Sequence, residues 1–362
     1  MKTYDAVVVG AGPAGSTTAY RLAAAGASVL LLDKHRFPRD KPCGGGLTTR
    51  AVRQLPFSVE PVVEDVVDRF QLRLGYGSSF ERTSDEPLCF MTQRRRLDHF
   101  LVQRAQDAGA EFRDGVRMPL EDALRLGHVV VGADGVNGAT ARAFGLARDH
   151  GHGVALEGNG PLDERYRGRL VLELGVVPGG YGWVFPKGDH VNFGVGGWES
   201  EGSRLRAHLR RLCEEHGADA DALTDVRGYR LPFRRPASSF ARDNVLLAGD
   251  AAGLVDPLSG DGMYEAFVSA RLAADAILGG DLAPYAERVL AELGPLHAAS
   301  WTAKYALDRF PRLTFAIARA PLAWSVIARI VRGELKDPTA ARGLSRAPLK
   351  ALDRLGRIAQ PA

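Results

Sequence analysis

The chain has 362 residues, of which 45% are hydrophobic and 25% charged, and its formal net charge is +4. This balance excludes an intrinsically disordered chain, and the length exceeds that of one compact core, so two interleaved domains or one large domain with an appendage are expected. Three cysteines at unrelated spacings exclude a disulfide framework and leave no metal-ligand pattern, so no metal is expected.

Basic charge is concentrated at the C-terminal end. Residues 301–362 contain twelve Lys or Arg but only four Asp or Glu. This asymmetry fits either an anionic partner surface or a solvated basic face. No nucleic-acid-binding motif occurs, so no nucleic-acid partner is expected. Because the chain runs from Met1 directly into a predicted strand, we expect no signal peptide and a cytoplasmic location.

The N-terminal elements form a β-α-β unit. A β-branched run over residues 6–9 predicts a strand, residues 13–26 are typical of an Ala-rich helix, and residues 28–33 predict a second buried strand. Residues 35–46 are too rich in Pro and Gly for a helix or strand. Two strands connected in this way are parallel and belong to one sheet.

The remaining elements are predicted from periodicity and from Gly and Pro positions. Residues 153–198 indicate an antiparallel sheet, residues 119–124 a short helical link, and everything after residue 282 is helical. Further strands are predicted over 69–74, 88–92, 128–131 and 244–248, and helices over 94–109 and 263–278.

A glycine-rich turn follows the first strand and opens the first helix. Residues 10–15 read G-x-G-x-x-G, in which the first glycine permits a tight turn, the second admits a pyrophosphate and the third allows close helix packing. Asp33 ends the second strand, where a carboxylate accepts hydrogen bonds from a ribose, and Lys34 is its neighbour. The sequence therefore predicts a dinucleotide site that includes Gly10, Gly12, Pro13, Ala14 and Gly15.

Two further motifs resemble those of FAD-binding proteins. Residues 130–135 read VVGADG and resemble a flavoprotein motif whose aspartate, here Asp134, lies close to the nucleotide. Residues 245–252 read VLLAGDAA and resemble a motif, here with Gly249 and Asp250, whose aspartate binds the ribityl chain. The three motifs in this order imply FAD as the cofactor.

The chain is similar to the flavoprotein hydroxylase superfamily, and three segments resemble the geranylgeranyl reductase family. Residues 37–47 (FPRDKPCGGGL) resemble a loop beside the flavin, residues 181–188 (YGWVFPKG) a substrate-pocket signature, and residues 256–263 (DPLSGDGM) a loop that leads into a helix beside the isoalloxazine. The resemblance implies cofactor contacts for Arg39, Cys43, Gly44, Gly45, Arg94, Pro257, Gly260, Asp261, Gly262 and Met263. Arg39 and Arg94, the latter within a run of three arginines, are otherwise solvated charges.

Three of these features also have a physical interpretation. Gly260 and Gly262 are expected to expose backbone N–H groups at a helix N-terminus, where negative charge on reduced flavin is stabilised; otherwise they serve packing alone. Tyr181, Trp183 and Phe185 alternate as strand residues on one face and line a substrate pocket or belong to the core. Cys43 is either a proton donor, since an ordinary thiol is protonated at pH 7, or a small packing residue.

The resemblance implies a reductase that saturates C=C bonds of a geranylgeranyl or other isoprenoid group by hydride transfer from reduced FAD. The alternatives are an FAD-dependent monooxygenase, a halogenase, whose W-x-W-x-I-P signature is only partly matched by residues 181–186, and an electron-transfer flavoprotein. No second G-x-G-x-x-G occurs, so NAD(P)H binds transiently or a protein donor supplies the electrons.

The expected fold class is α/β, with a Rossmann-type FAD-binding domain interleaved with an antiparallel-sheet substrate domain and followed by C-terminal helices. Within residues 313–330, Leu313, Ile317, Ala320 and Trp324 are spaced to share an apolar face flanked by arginines. This face is expected to rest on an anionic membrane or to dock on the catalytic domain. The domains are assigned to residues 1–68, 93–152 and 242–300 (FAD), 69–92 and 153–241 (substrate), and 301–362 (C-terminal helices).

Overall fold

The computed structural model describes residues 3–143, 145, 151–234 and 239–360. The helices are α1 (Pro13–Ala24), α2 (Thr49–Val52), α3 (Arg94–Asp107), α4 (Leu120–Leu126), α5 (Ala139–Ala143), α6 (Leu205–Glu215), α7 (Met263–Leu278), α8 (Tyr285–Arg309), α9 (Pro311–Arg319), α10 (Pro321–Arg332) and α11 (Arg346–Ala359). The strands are β1 (Tyr4–Val9), β2 (Val29–Leu32), β3 (Gly46–Thr48), β4 (Val63–Val67), β5 (Arg69–Leu74), β6 (Ser79–Thr83), β7 (Cys89–Thr92), β8 (Glu111–Arg113), β9 (Gly127–Gly132), β10 (Gly151–Pro161), β11 (Arg169–Leu174), β12 (Tyr181–Pro186), β13 (His190–Trp198), β14 (Thr224–Phe233), β15 (Ala241–Arg242) and β16 (Val245–Leu247).

The first sheet has six strands in the order β15-β16-β9-β1-β2-β8, all parallel to their neighbours except β15. Alternate residues of β1 enter two cores: Val7 packs towards α7 and α8, whereas Ala6 and Val8 pack towards α1 and α3. A strand buried on both faces needs a continuous apolar run, which explains the β-branched sequence. The predicted β-α-β unit is confirmed.

The second sheet has seven strands in the order β14-β10-β13-β12-β11-β5-β6. It is antiparallel except between β5 and β11, which are parallel. The antiparallel sheet expected over residues 153–198 is confirmed, and α6 covers one face of it with Leu205, Leu209 and Leu212. Strand β14 was not predicted. Most residues of β14 are exposed, and its sequence lacks the alternation of apolar and polar residues that marks a half-buried strand.

The third sheet is small and has the order β3-β7-β4. The two strands predicted over 69–74 and 88–92 both form, but β5 joins the seven-stranded sheet and β7 joins this one. Between β8 and β9 the chain forms the short helix α4, as the sequence indicated. The α/β fold class is therefore confirmed, and the division into domains stays a prediction.

The C-terminal helices differ from the expectation of one continuous apolar face over residues 313–330. Helices α9 and α10 are bent by 84° where Pro321 begins a new helix, because proline cannot continue the hydrogen-bonding of the preceding turn. Leu313 on α9 is 53% exposed, whereas Trp324 on α10 packs against Leu88. The two side chains therefore do not share a face.

No single helix in the described ranges is both long and apolar enough to cross a membrane. The bent pair α9 and α10 meets the length and composition criteria only when its two helices are taken together.

Candidate active site

A cavity of about 880 Å³ lies at the carboxyl edge of the six-stranded sheet and extends to β12. Open parallel sheets bind ligands at this edge, where the turns after β1, β9 and β16 meet. All but one of the residues that the sequence singled out line the cavity, and Gly15 is the exception. The lining residues are Gly10, Gly12, Pro13, Ala14, Asp33, Lys34, Arg39, Cys43, Gly44, Gly45, Arg94, Asp134, Tyr181, Trp183, Phe185, Gly249, Asp250, Pro257, Gly260, Asp261, Gly262 and Met263.

The three glycines of the first turn have different roles. Gly10 has φ +105°, and a Cβ there would lie 2.4 Å from the Ala133 carbonyl oxygen, so the turn admits only glycine. A Cβ at Gly15 would lie 1.8 Å from the Gly10 carbonyl oxygen, which shows the close packing expected of this position. At Gly12 the nearest atom to a Cβ would be Arg39 Nη2, at 3.6 Å. The protein therefore leaves the space at Gly12 open.

Asp33 follows β2 directly, as predicted. Its carboxylate accepts hydrogen bonds from the backbone N–H groups of Ala11 at 2.9 Å and His35 at 2.8 Å. Arg39 Nη2 lies 3.8 Å from the same carboxylate. These contacts hold the carboxylate at the cavity wall beside Lys34. Its contact with a ribose stays a prediction.

Arg39 and Arg94 share one buried carboxylate. Arg94 Nε and Nη2 donate to Asp98 at 2.7 and 2.8 Å, and Arg39 Nη1 lies 2.8 Å from Asp98 Oδ2. Burial lowers the pKa of Arg94, but the Asp98 carboxylate outweighs burial and raises it. With Asp33 included, two guanidinium groups face two carboxylates and the formal charges balance. Arg39 Nε, however, has no hydrogen-bond partner among the described residues, which suits a phosphate oxygen as acceptor.

Two aspartates occupy the turns after β9 and β16. Asp134 Oδ2 accepts hydrogen bonds from the N–H of Thr140 at 2.9 Å and from its hydroxyl at 3.0 Å. Asp250 Oδ2 accepts from Lys41 Nζ at 2.9 Å and from the Tyr229 hydroxyl at 2.5 Å. Burial opposes the charge of Asp250, yet Lys41 and Tyr229 lower its pKa, so the carboxylate is ionised.

The loop before α7 is closed by Asp256. Its Oδ1 accepts from the backbone N–H groups of Leu258 and Ser259, and its carbonyl accepts from the Gly260 N–H at 2.9 Å. The expectation that Gly260 exposes its N–H is therefore wrong, because the turn uses that group internally. Gly262 is the N-cap of α7 and lines the cavity, and its contact with the cofactor stays a prediction.

Two buried charged side chains hold the peptide of Cys43 at the cavity wall. The Cys43 N–H donates to Glu157 Oε1 at 2.7 Å, and its carbonyl accepts from Lys187 Nζ at 2.9 Å. Burial raises the pKa of Glu157, and the Lys187 ammonium partly opposes that rise. The Cys43 thiol itself accepts only a long hydrogen bond, 3.4 Å from the Gly45 N–H.

The glycines after Cys43 let the loop pass close to β12. A Cβ at Gly44 would lie 2.9 Å from the Phe185 ring, and one at Gly45, where φ is +84°, would lie 2.2 Å from the Thr92 carbonyl oxygen. The missing side chains are therefore required by protein neighbours, whatever ligand the cavity holds.

Tyr181, Trp183 and Phe185 form one aromatic wall of the cavity. Their successive ring centroids are 6.1 and 6.3 Å apart. Trp183 Nε1 donates to Asn192 at 2.8 Å, and the Tyr181 hydroxyl donates to the Ser259 carbonyl. The aromatic wall therefore extends from the Cys43 loop to the loop before α7. The substrate-pocket assignment stays a prediction.

Sequence reasoning missed Lys41, Glu157, Lys187 and Tyr229. Lys41 lies inside the loop quoted for its resemblance, so its charge beside a cofactor motif was an available signal. Glu157 and Lys187 are charged residues in apolar strand segments, which is itself a signal of burial with a partner. Tyr229 lies on the unpredicted strand β14, so no sequence signal pointed to it.

Comparison with known proteins identifies the family. Residues 5–58 match the model of the FAD dependent oxidoreductase domain. A menaquinone reductase of Mycobacterium tuberculosis is 34% identical, with 80% of each chain covered. A digeranylgeranylglycerophospholipid reductase of Methanopyrus kandleri is 31% identical and covers 95% of this chain and 97% of the relative. A geranylgeranyl diphosphate reductase of Rhodobacter capsulatus is 31% identical, covering 76% and 75%. The chain belongs to the geranylgeranyl reductase family of FAD-dependent oxidoreductases.

Solved structures show the same fold. A geranylgeranyl bacteriochlorophyll reductase-like protein of Thermoplasma acidophilum has a TM-score of 0.77 at 23% identity, covering 98% of this chain and all of that one. A flavin-dependent brominase has a TM-score of 0.74 at 17% identity, covering 99% of this chain. The fold is therefore common to geranylgeranyl reductase family members and to flavoproteins of other chemistry.

The cavity of this geranylgeranyl reductase family member fits FAD. The first-turn N–H groups of α1 have no acceptors within the helix, and the open space at Gly12 lies in front of them. Arg39 Nε and Asp134 Oδ1 are buried without a hydrogen-bond partner among the described residues. Both atoms are therefore available to a polar ligand in the cavity.

Three potential metal ligands lie together behind the loop before α7. Ligand atoms of Asp256, Glu265 and His297 are within 4.8 Å of one another. Asp256, however, already accepts hydrogen bonds from the loop backbone and from Ser300. Burial raises the pKa of Glu265 to about 7, so part of this group is neutral near pH 7. Both Glu265 carboxylate oxygens and His297 Nε2 are buried without a hydrogen-bond partner among the described residues, and His297 Nε2 lies 3.5 Å from Glu265 Oε1.

We propose that the space at Gly12 takes the FAD pyrophosphate. In Gly12→Val the new Cβ would lie 3.6 Å from Arg39 Nη2, an ordinary contact, so the variant folds and its FAD occupancy falls by about tenfold or more, the scale of overpacking. Flavin absorbance of the purified protein, with circular dichroism as the folding check, measures this. Gly202→Val, at a position with no neighbour within 4 Å, is the matched control and keeps the flavin. Full occupancy in Gly12→Val would refute the placement.

Proposed function

We propose that this protein reduces C=C bonds of a geranylgeranyl or other isoprenoid group. The observation that carries the proposal is the aromatic wall of Tyr181, Trp183 and Phe185, which gives the FAD-sized cavity an apolar side. The names of the relatives support an isoprenoid chain, since they are reductases of geranylgeranyl diphosphate, a digeranylgeranyl phospholipid and menaquinone.

We further propose which residues hold the cofactor. The turn over residues 10–15, with Arg39 and Arg94 as positioned by Asp98, binds the pyrophosphate, Asp33 binds the adenosine ribose and Asp250 the ribityl chain. Lys41 and Tyr229 orient the Asp250 carboxylate through their hydrogen bonds. FAD, when reduced, supplies the hydride that an isolated alkene requires.

The residues around the aromatic wall position the alkene and protonate it. Tyr181, Trp183 and Phe185 hold the isoprenoid chain by apolar contact and exclude water from it. One alkene carbon takes the hydride and the other must take a proton, so the step needs an acid close to the second carbon. Cys43 is the candidate, because Glu157 and Lys187 hold its peptide at the cavity wall.

The electrons come from NAD(P)H that binds transiently or from a protein donor. Among the three sheets of the described residues, the six-stranded sheet is parallel except for β15, and its carboxyl edge borders the FAD-sized cavity. The sequence has no second G-x-G-x-x-G motif, which supports a donor that binds transiently and leaves after electron transfer.

A cytoplasmic location with peripheral membrane contact is also proposed. Exposed Leu313, Leu322, Leu344 and Ile358 lie on a strongly basic C-terminal segment, a pattern typical of an interfacial surface. Co-sedimentation with vesicles that contain anionic lipid is expected at low salt and is expected to weaken at high salt, because surface charges are screened. Absence of binding at low salt would contradict the proposal.

The proposed reaction is tested with FAD-loaded protein under anaerobic conditions. Dithionite, NADPH and NADH are compared as reductants, and geranylgeranyl diphosphate and geranylgeraniol as substrates. Mass spectrometry is expected to show the gain of two hydrogen atoms for each bond reduced. A monooxygenase would instead require oxygen and incorporate an oxygen atom, so product formation only in air would overturn the proposal.

Cys43→Ala is expected to keep the flavin spectrum and to slow product formation by roughly tenfold or more, the scale for losing a positioned acid. Cys43→Ser retains a protonated group and is expected to lose less. Single turnover of pre-reduced enzyme measures the reduction step alone. Cys213→Ala, at a buried residue of α6, is the matched control. A wild-type rate in Cys43→Ala would show that Cys43 serves packing and that another group donates the proton.

A further inference from the structure

Lys304 on α8 is a buried ammonium group at the edge of the same cavity. Lys304 is 5% exposed and lines the cavity together with Gly179 and Phe233. Nζ donates a hydrogen bond to the Gly179 carbonyl. It also lies 4.4 Å from the ring centroid of Trp198 and 5.4 Å from that of Phe233, so two aromatic faces contact the cation.

Asp308, the acidic residue one turn further along α8, already accepts hydrogen bonds from other groups. Asp308 accepts from the Gly179 N–H at 2.6 Å and from Trp198 Nε1 at 3.0 Å. In the part of the chain that the structure describes, Lys304 forms no ion pair. A buried cation without a counter-ion is costly, and its cost is reduced when an anion binds beside it.

The position of Lys304 relative to the Cys43 loop is set by β12. Phe185 packs against Gly44 at one end of the aromatic wall, and Tyr181 lies at the other end, next to the Gly179 segment that contacts Lys304. Tyr181 and Phe185 are four residues apart, which separates them by roughly 13 Å at about 3.3 Å per residue. The cation and the Cys43 loop therefore lie at opposite ends of an elongated apolar wall.

We propose that Lys304 binds the anionic phosphate end of an isoprenoid substrate whose chain lies along the aromatic wall towards Cys43. This inference rests on the proposed function, because it assumes that the wall takes an isoprenoid chain. The shared chemistry is a phosphate ester, which a prenyl diphosphate and a prenylated phospholipid both carry. Lys304 is then the residue that distinguishes phosphorylated substrates from uncharged ones.

The protonation state of Lys304 gives a second measurable consequence. Burial lowers its pKa to about 8, while Asp308 and Asp256 act in the opposite direction. Tyr305, also on α8, is the other titratable group nearby, and burial raises its pKa. Lys304 is thus charged below about pH 8 and neutral above it. Affinity for a phosphorylated ligand is therefore expected to fall as pH rises through about 8.

The test compares ligand binding to FAD-loaded Lys304→Met, Lys304→Arg and wild-type protein by equilibrium dialysis, which does not depend on turnover. Geranylgeranyl diphosphate, digeranylgeranylglycerol phosphate and uncharged geranylgeraniol are the probes. Lys304→Met is expected to weaken binding of the phosphorylated probes by about tenfold or more, the scale of a hydrogen bond to a charged group, and to leave geranylgeraniol unchanged. Lys350→Met, on the exposed face of α11, is the matched control and changes nothing.

Lys304→Arg keeps its charge at high pH, so its affinity for the diphosphate is expected to stay constant from pH 7 to about 9.5, where the wild type loses affinity. Loss of only one phosphorylated probe in Lys304→Met would identify which ester the site takes. Equal weakening of phosphorylated and uncharged probes, or no weakening of either, would overturn the proposal. Failure of wild-type protein to reduce any of the probes would instead overturn the proposed function, and the dialysis result separates the two failures.

Discussion

Close contact between the turns at the carboxyl ends of the parallel strands determines the rest of this structure. The Gly10 N–H donates to the Leu32 carbonyl at 2.7 Å, and the Ala133 N–H donates to the Val9 carbonyl at the same distance. Hydrogen bonding between neighbouring segments thus continues past the ends of the strands. The turns after β1, β2 and β9 therefore begin side by side at the same edge of the sheet. Because Gly10 has no side chain, the Ala133 turn packs directly against it. Backbone of these turns and the N-terminus of α1 therefore form part of the cavity lining.

The cavity wall has a charged part at the sheet edge and an aromatic part along β12. At the sheet edge, buried charges are balanced by local partners, as in the Arg94–Asp98 and Lys41–Asp250 pairs. Such pairs offset the cost of burial only where the geometry satisfies their hydrogen bonds. Along β12 the wall is aromatic. The charged part of the wall suits the polar groups of a flavin nucleotide, and the aromatic part suits an apolar chain beside it.

Local patterns predicted most of the elements that build the floor of the cavity. The β-branched runs and the glycine spacing identified β1, α1, β2 and α7, because two-sided burial and tight turns leave clear sequence signals. Contacts between distant segments left no such signal. Glu157 reaches Cys43 across more than one hundred residues, and Tyr229 lies on a strand with an irregular, exposed pattern. The internal hydrogen bond of Gly260 depended on the geometry of its turn, which composition does not specify. Pro321, by contrast, was a signal for the bend in the sequence itself, and the apolar spacing across it did not take that signal into account.

The order of the chain around the cavity has a consequence for biosynthesis. Cavity-lining residues extend from Val9 to Val331, and β1 is flanked by strands that are synthesised about twenty and one hundred and twenty residues later. A nascent chain that stops before β16 lacks Asp250, the loop before α7 and Lys304, so one side of the cavity does not exist. The complete cavity therefore requires segments from nearly the whole polypeptide, and it exists only after α8 has been synthesised.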